Sequence, residues 1–143
     1  MVNETIADPV ALANDLRPIL LRLSRELRKE TEDLGVTGRQ VTLLWLIRNH
    51  PGLSLRELAA EERISAPALS GHVDRLEKAG LIGRSRDDAD RRRVGLTLTD
   101  EGARLLKRVR ARRTSWLADR LRGLEPDELE AVEAAIGPLR ALL

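Results

Sequence analysis

The chain has 143 residues, enough for one domain with its own hydrophobic core, and we expect residues 1–143 to form a single domain. It carries 25 lysine and arginine against 23 aspartate and glutamate side chains, so its net charge of +2 does not by itself indicate a nucleic-acid partner. The absence of cysteine excludes disulfides, thiolate metal sites and thiol-based redox sensing. No apolar run approaches the roughly 20 residues of a membrane span, so we expect a cytoplasmic protein.

Basic charge is concentrated in the second half of the chain. Residues 84–122 contain 13 basic and 6 acidic side chains, a net charge of +7, whereas residues 123–143 carry a net charge of −4. Such a basic segment indicates a negatively charged partner. The only aromatic side chains are those of Trp45 and Trp116, which argues against recognition of single-stranded nucleic acid by base stacking.

A long amphipathic helix is predicted near the N-terminus. Asp8 is a capping residue followed by Pro9, and apolar residues recur on one side as far as about Asp33. Pro18 lies inside this pattern, so we expect the helix to be kinked or interrupted there. The apolar stripe is too long for a core of this size to cover entirely. We therefore expect part of it to pack on a second subunit, with packing on its own domain as the alternative.

Two short helices in the middle of the chain are predicted to form a helix-turn-helix. Ser54 caps the first of them, Ser65 caps the second, and the second closes at Gly80. The apolar positions of the second helix share one face, which leaves a small, polar and cationic face for DNA. The predicted major-groove residues are Ser65, Ala66, Pro67, Ser70, Gly71, His72 and Arg75. As alternatives, Ser65 serves only as a cap and His72 is simply an exposed side chain.

After Gly80 the hydrophobic pattern changes from helical to alternating. Residues 81–86 and 93–98 are predicted to form two strands of a hairpin, joined by a charged loop. We interpret this hairpin as a wing whose arginines enter the minor groove, with a solvated turn as the alternative. The wing residues assigned to DNA are Asp90, Arg91, Arg92 and Arg93, with Asp90 orienting an arginine. Phosphate contacts are predicted at Arg39, Arg56, Arg84 and Arg86.

Two further helices follow the wing, and both carry apolar stripes. Thr99 caps a long helix that ends at Gly123, and Pro126 begins the last one. The basic side chains between Lys107 and Arg113 are expected to form a solvated or salt-bridged helix face against the acidic terminal helices, with a second phosphate contact as the alternative. The residues expected in a dimer interface, from both ends of the chain, are Leu12, Leu16, Ile19, Trp116, Leu117, Leu121, Leu129, Ile136 and Leu139.

An ordered set of residues runs through this region: Leu58, Ser65, Ser70, Val73, Leu76, Glu77, Gly80 and Leu81, then Asp90-Arg91-Arg92, then Leu98-Thr99-x-x-Gly102. The set resembles the MarR family of winged helix-turn-helix transcription regulators, and the resemblance covers essentially the whole chain. It implies a mainly α (α+β) fold, with a winged helix-turn-helix lobe at residues 37–98 and a two-stranded wing. Residues 8–34 and 99–143 would then be dimerisation helices. It also implies a homodimer on a pseudo-palindromic operator with half-sites about 10 base pairs apart.

The chain departs from the family pattern at two positions. The family wing usually reads Asp-x-Arg-Asp-x-Arg, and Ala89 occupies the first arginine position here. Gly71 stands where many members carry a longer polar or basic side chain. In the family, the cavity between the winged lobe and the dimer helices commonly takes small aromatic anions. Trp45 is therefore a candidate for lining an effector pocket, with a core position as the alternative.

The predicted function is that of a sequence-specific regulator of transcription that binds double-stranded DNA, a repressor that responds to a small aromatic or anionic effector. We expect no enzyme, no cofactor and no metal site, because no catalytic set of residues is recognisable and the two histidines lack cysteine partners. Two alternatives stay open. A winged-helix protein-interaction module would lack salt-dependent DNA affinity, and an enzyme would need a paired base and nucleophile in the dimer cavity.

Replacement of either wing arginine, Arg91→Ala or Arg92→Ala, is expected to weaken operator binding strongly, because each removes a cation from the predicted minor-groove contact. The measurement is a gel-shift titration on fragments of the host genome that the wild-type protein selects. Ser70→Ala is the comparison, since it should relax base preference by ~1 kcal/mol or more per lost contact. Unchanged affinity in both wing variants would show that the loop tip is a solvated turn.

Overall fold

Six α-helices and a small sheet make up residues 6–86 and 94–143, the part of the chain that this computed structural model describes. The helices are α1 (Pro9–Lys29), α2 (Gly38–Asn49), α3 (Leu55–Glu62), α4 (Ala66–Lys78), α5 (Asp100–Arg122) and α6 (Pro126–Arg140). The strands are β1 (Leu53–Ser54), β2 (Ile82–Arg86) and β3 (Val94–Leu98), and a 3-10 turn (Glu32–Leu34) joins α1 to α2. This architecture confirms the predicted mainly α fold with a winged helix-turn-helix lobe.

The sheet is antiparallel with the strand order β1-β3-β2. Strands β2 and β3 form the predicted hairpin, in register from the pair Ile82 and Leu98 to the pair Arg86 and Val94. Strand β1 was not predicted, because two residues are too few to show an alternating pattern. It is held by long-range contacts, among them a hydrogen bond of 3.0 Å from the Gly52 N–H to the Leu96 carbonyl.

One hydrophobic core holds the lobe together. It lies between α2, α3, α4, the sheet and the N-terminal half of α5, whereas α1 and α6 contain no buried residue. The buried apolar residues are Val41, Leu43, Leu44, Ile47, Leu58, Ala59, Leu69, Val73, Leu76, Leu81, Ile82, Leu96, Leu105, Leu106 and Val109.

No helix within residues 6–86 and 94–143 combines the length and the apolar character needed to cross a bilayer.

Helix α1 is shorter than predicted, and the interruption considered at Pro18 is not found. The helix runs without a break from Pro9 to Lys29, whereas the sequence pattern predicted an end near Asp33. It ends early because the Thr31 N–H and hydroxyl both turn back to the Arg28 carbonyl, at 3.2 and 3.3 Å. The proline deprives the Asn14 carbonyl of its helical donor, but Asn14 is exposed, so water can replace that donor.

The start of α5 packs closely against the chain that leads into β2. The Thr99 hydroxyl accepts a hydrogen bond from the Gly102 N–H at 3.1 Å, as the predicted cap requires, and donates to the Gly80 carbonyl at 2.6 Å. The Thr99 N–H also donates to the Leu81 carbonyl at 3.1 Å. A Cβ atom on Gly102 would lie 2.2 Å from that same carbonyl oxygen and 2.6 Å from Cδ1 of Leu98.

The Gly102→Ala variant is therefore expected to lower the free energy of unfolding by about 1–3 kcal/mol, because the added methyl group displaces backbone. Urea denaturation of the wild type and the variant measures the difference. Gly71→Ala is the matched control, since a Cβ there meets only Nη2 of Arg75, at 3.9 Å. The control should gain about 0.5–1 kcal/mol from helix propensity. Equal stability of Gly102→Ala and the wild type would contradict this packing.

Candidate nucleic-acid interface

Helices α3 and α4 form a helix-turn-helix whose turn depends on a residue in the left-handed conformation. Arg63 has φ of 53° and ends α3, and its N–H donates to the Ala60 carbonyl at 3.3 Å. The next helix begins at the predicted cap, because the Ser65 hydroxyl accepts a hydrogen bond from the Ala68 N–H at 3.3 Å. Gly80, with φ of 76°, follows α4 and turns the chain toward β2.

Three buried residues anchor α4 in the lobe core, namely Leu69, Val73 and Leu76. Because they share one face, the rest of the helix surface is directed away from the core. None of the seven residues predicted to enter the major groove is buried. Ser65, Ala66, Pro67 and Arg75 are exposed, and Ser70, Gly71 and His72 are half-buried. Their placement is compatible with groove binding, and their contacts with DNA stay a prediction.

His72 and Arg75 form a polar pair on one flank of α4. Nη2 of Arg75 lies 3.3 Å from Nδ1 of His72. Burial, followed by the positive charges of Arg75 and Arg39, lowers the pKa of His72 below its ordinary value of 6.5. The imidazole is therefore neutral at pH 7.

The four arginines predicted to contact phosphate differ in their surroundings. Nε and Nη2 of Arg84 lie 2.7 and 3.1 Å from carboxylate oxygens of Glu77 and Asp74, so this side chain connects β2 to α4. Nη1 of Arg39 lies 3.3 Å from Oε2 of Glu62. The other two, Arg56 and Arg86, are exposed and have no ion pair within the described ranges.

The roles of Asp74 and Glu77 as partners of Arg84 were missed from the sequence. The two acidic residues are three positions apart on α4 and therefore lie on one side of the helix. That spacing lets one cation contact both carboxylates. The cation is the Arg84 side chain on strand β2, and only the fold brings it to Asp74 and Glu77.

The predicted wing contacts Asp90, Arg91, Arg92 and Arg93 lie outside the described residues, as does Ala89. Strands β2 and β3 lead to this loop and lie directly beyond α4 in the chain.

For residues 6–86 and 94–143, no group of three or more histidine, cysteine, aspartate or glutamate side chains is arranged to hold a metal ion.

The two tryptophans occupy different environments. Trp45 is half-buried and packs against the lobe core, with the guanidinium carbon of Arg48 5.0 Å from its ring centroid. Trp116 lines a surface groove of about 540 Å³ between α1 and α5, together with Ile19 and Leu23. The guanidinium carbon of Arg120 lies 5.0 Å from the Trp116 ring centroid. Trp45 is not among the residues of this groove.

The side chains predicted to form a dimer interface are all at least partly accessible in the single chain. Leu16, Trp116 and Leu121 are half-buried. The exposed members are Leu12, Ile19, Leu117, Leu129, Ile136 and Leu139.

Comparison with known proteins connects this geometry to a family. A model of the MarR family matches residues 36–94, from the segment before α2 to the start of β3. The chain is 31% identical over 132 residues to an HTH-type transcriptional regulator of Mycobacterium tuberculosis, covering 92% of each protein. It is 32% identical to the HTH-type transcriptional repressor MdtR of Bacillus subtilis, over 80% of this chain and 74% of that protein. The structure of a MarR family protein from Bacillus stearothermophilus matches with a TM-score of 0.77 at 25% identity, covering 92% of both chains.

Arg56→Ala is expected to weaken DNA binding and to reduce the magnitude of the slope of log affinity against log salt by about 1 for each protomer bound, because it removes an exposed cation that has no ion pair within the described residues. Arg84→Ala should change that slope less, since Asp74 and Glu77 already neutralise its charge. Fluorescence anisotropy over a salt series measures both slopes. Equal slopes for the two variants would show that ion pairing within the lobe does not decide which arginine contacts phosphate.

Proposed function

Because the chain belongs to the MarR family of DNA-binding helix-turn-helix transcription regulators, we propose that it acts as a homodimeric, ligand-responsive repressor on a pseudo-palindromic operator. Repression is favoured by the similarity to MdtR, which is named a transcriptional repressor. Such a regulator would act in the cytoplasm, where the operator DNA lies.

The exposed apolar surface of the terminal helices is the observation that carries the homodimer. Helices α1 and α6 are amphipathic, but their apolar faces are not covered within one chain. Leu12, Ile19 and Ile136, for example, are 54%, 55% and 50% exposed. Exposed apolar side chains along two helices of a single chain favour association, since water is released when such surfaces meet. A second copy supplies matching surfaces from both ends of its own chain, as a two-fold symmetric interface requires.

Two-fold symmetry also favours a bipartite operator. Each copy would present one α4 helix, on which Ser65 and Pro67 are exposed and Ser70 is half-buried. Two such helices on one side of the duplex reach successive major grooves when their half-sites are about one helical turn, or 10 base pairs, apart. In this proposal the wing residues Arg91 and Arg92 add minor-groove contacts at the flanks of each half-site.

Two grooves beside the dimer helices support a ligand response. The groove at Trp116 combines an aromatic wall with the guanidinium of Arg120. A second groove, of about 640 Å³, is lined by three cationic residues and one acidic residue beside the start of α2, namely Arg25, Arg28, Lys29 and Glu32. Apolar and cationic walls together suit a small aromatic anion. An effector that binds one arrangement of the two lobes more tightly would shift the population that can bind DNA.

Ile136→Glu is expected to convert the dimer to a monomer at micromolar concentration and to lower affinity for a two-half-site operator by at least about tenfold, because it places a charge in the apolar interface. Sedimentation measures the mass, and anisotropy measures affinity for fragments selected from the host genome. Ala134→Glu is the matched control. It adds the same charge to α6 two positions away, on another side of the helix.

Several results would overturn parts of this proposal. A monomeric wild-type protein, or an Ile136→Glu variant that stays dimeric, would exclude the interface. Selected fragments that lack paired half-sites would exclude the bipartite operator. The same anisotropy assay, repeated with a panel of small aromatic carboxylates, tests the ligand response, and DNA affinity unchanged by the whole panel would count against it.

A further inference from the structure

We propose that His72 determines sequence specificity on α4 by presenting an Nε2–H donor to guanine in the major groove of each half-site. The inference rests on the proposed function, because it needs operator DNA against α4. A side chain that only donates at the groove can bond only to bases that present an acceptor there, so the protonation of His72 determines which base it favours.

The contact with Arg75 decides which ring nitrogen of His72 carries the proton. Nη2 of Arg75 lies 3.3 Å from Nδ1 of His72. A guanidinium group has N–H donors and no acceptor, and it is not deprotonated in proteins. Nδ1 must therefore be the acceptor of this hydrogen bond. In a neutral imidazole the single proton then resides on Nε2, which makes that atom a donor.

The surroundings of the ring keep it neutral. Burial and the nearby charges of Arg75 and Arg39 lower the pKa of His72, so the singly protonated form prevails at pH 7. The carboxylate of Glu62, which would favour an imidazolium if it faced the ring, is paired with Arg39 at 3.3 Å. His72 thus offers one donor, and its one acceptor is already occupied by Arg75.

The neighbouring side chains on α4 leave the ring accessible. Within the described part of the chain Nε2 makes no hydrogen bond, and Nε of Arg113 is the only buried side-chain nitrogen or oxygen without a partner. Nε2 is therefore open to solvent. The other residues in the first half of α4 that are not buried are small, and Gly71 has no side chain. His72 is half-buried, but its side chain is longer than theirs. Those small residues are Ser65, Ala66, Pro67, Ala68, Ser70 and Gly71.

A donor that reaches the groove floor distinguishes bases by their acceptors. Guanine presents two adjacent acceptors there, N7 and O6, whereas cytosine presents the N4 amino donor, which would face the Nε2–H without forming a bond. Adenine and thymine each offer one acceptor. His72 should therefore favour guanine most and cytosine least at one position of each half-site.

The test is in vitro selection of random duplexes by the wild type, His72→Ala, His72→Gln and His50→Ala. The wild type should enrich guanine at one symmetric position of each half-site. His72→Ala should reduce that preference by about tenfold, the effect of one good base contact, and leave the other positions unchanged. His72→Gln retains an N–H donor and should keep a purine there. The other histidine, His50, lies after α2, and His50→Ala should behave as the wild type.

The tautomer is measured separately, by ¹⁵N chemical shifts of His72 in the full chain without DNA. We expect an unprotonated Nδ1 in the wild type and a mixture of tautomers in Arg75→Ala. A proton on Nδ1 of the wild type would overturn the inference. So would an unaltered base preference in His72→Ala while the wild type still selects paired half-sites. If the wild type selects no sequence at all, the proposed function falls, and this inference falls with it.

Discussion

The packing of Leu69, Val73 and Leu76 into the lobe core is the contact on which the rest of the structure depends. Burial of each side chain contributes about 1.5–3 kcal/mol relative to an exposed position. All three point to one side of α4, so the core fixes the rotation of the helix about its own axis. The exposure of Pro67 and Arg75 is therefore a consequence of apolar packing, and Ser70 and His72 are half-buried on either flank of the packed face.

Helix α5 extends this core toward the ends of the chain. Its first half contributes Leu105, Leu106 and Val109 to the lobe, and its second half carries Trp116 beside α1. Between the two halves, Nη1 of Arg112 donates to the Glu30 carbonyl at 2.9 Å, and its guanidinium pairs with Asp33. Part of the basic cluster on this helix is thus salt-bridged, as predicted. One continuous helix joins the lobe to the apolar terminal surface, so in the proposed dimer a change in the interface would move the lobe as well.

The features predictable from sequence are those that local chemistry decides. The caps at Ser54, Ser65 and Thr99 each depend on a side chain and an N–H three residues later, and all three are present. The spacing of apolar residues likewise located the buried face of α4. Features that depend on distant partners were missed, including strand β1 and the carboxylate partners of Arg84. The early end of α1 belongs to the same class, because Nη2 of Arg113, from α5, donates to the Thr31 hydroxyl at 3.1 Å.

The distribution of unpaired charge favours the proposed dimer over a single lobe. Glu62 pairs with Arg39, and Asp74 and Glu77 pair with Arg84. Because carboxylates already neutralise their charge, these two arginines contribute less to phosphate binding than unpaired arginines would. The first half of α4 presents mainly small side chains, which fit the groove closely and make few strong contacts. Each lobe of the proposed dimer therefore binds weakly. Linking two of them makes the second contact intramolecular, which raises overall affinity without any further side chain and makes half-site spacing part of the specificity.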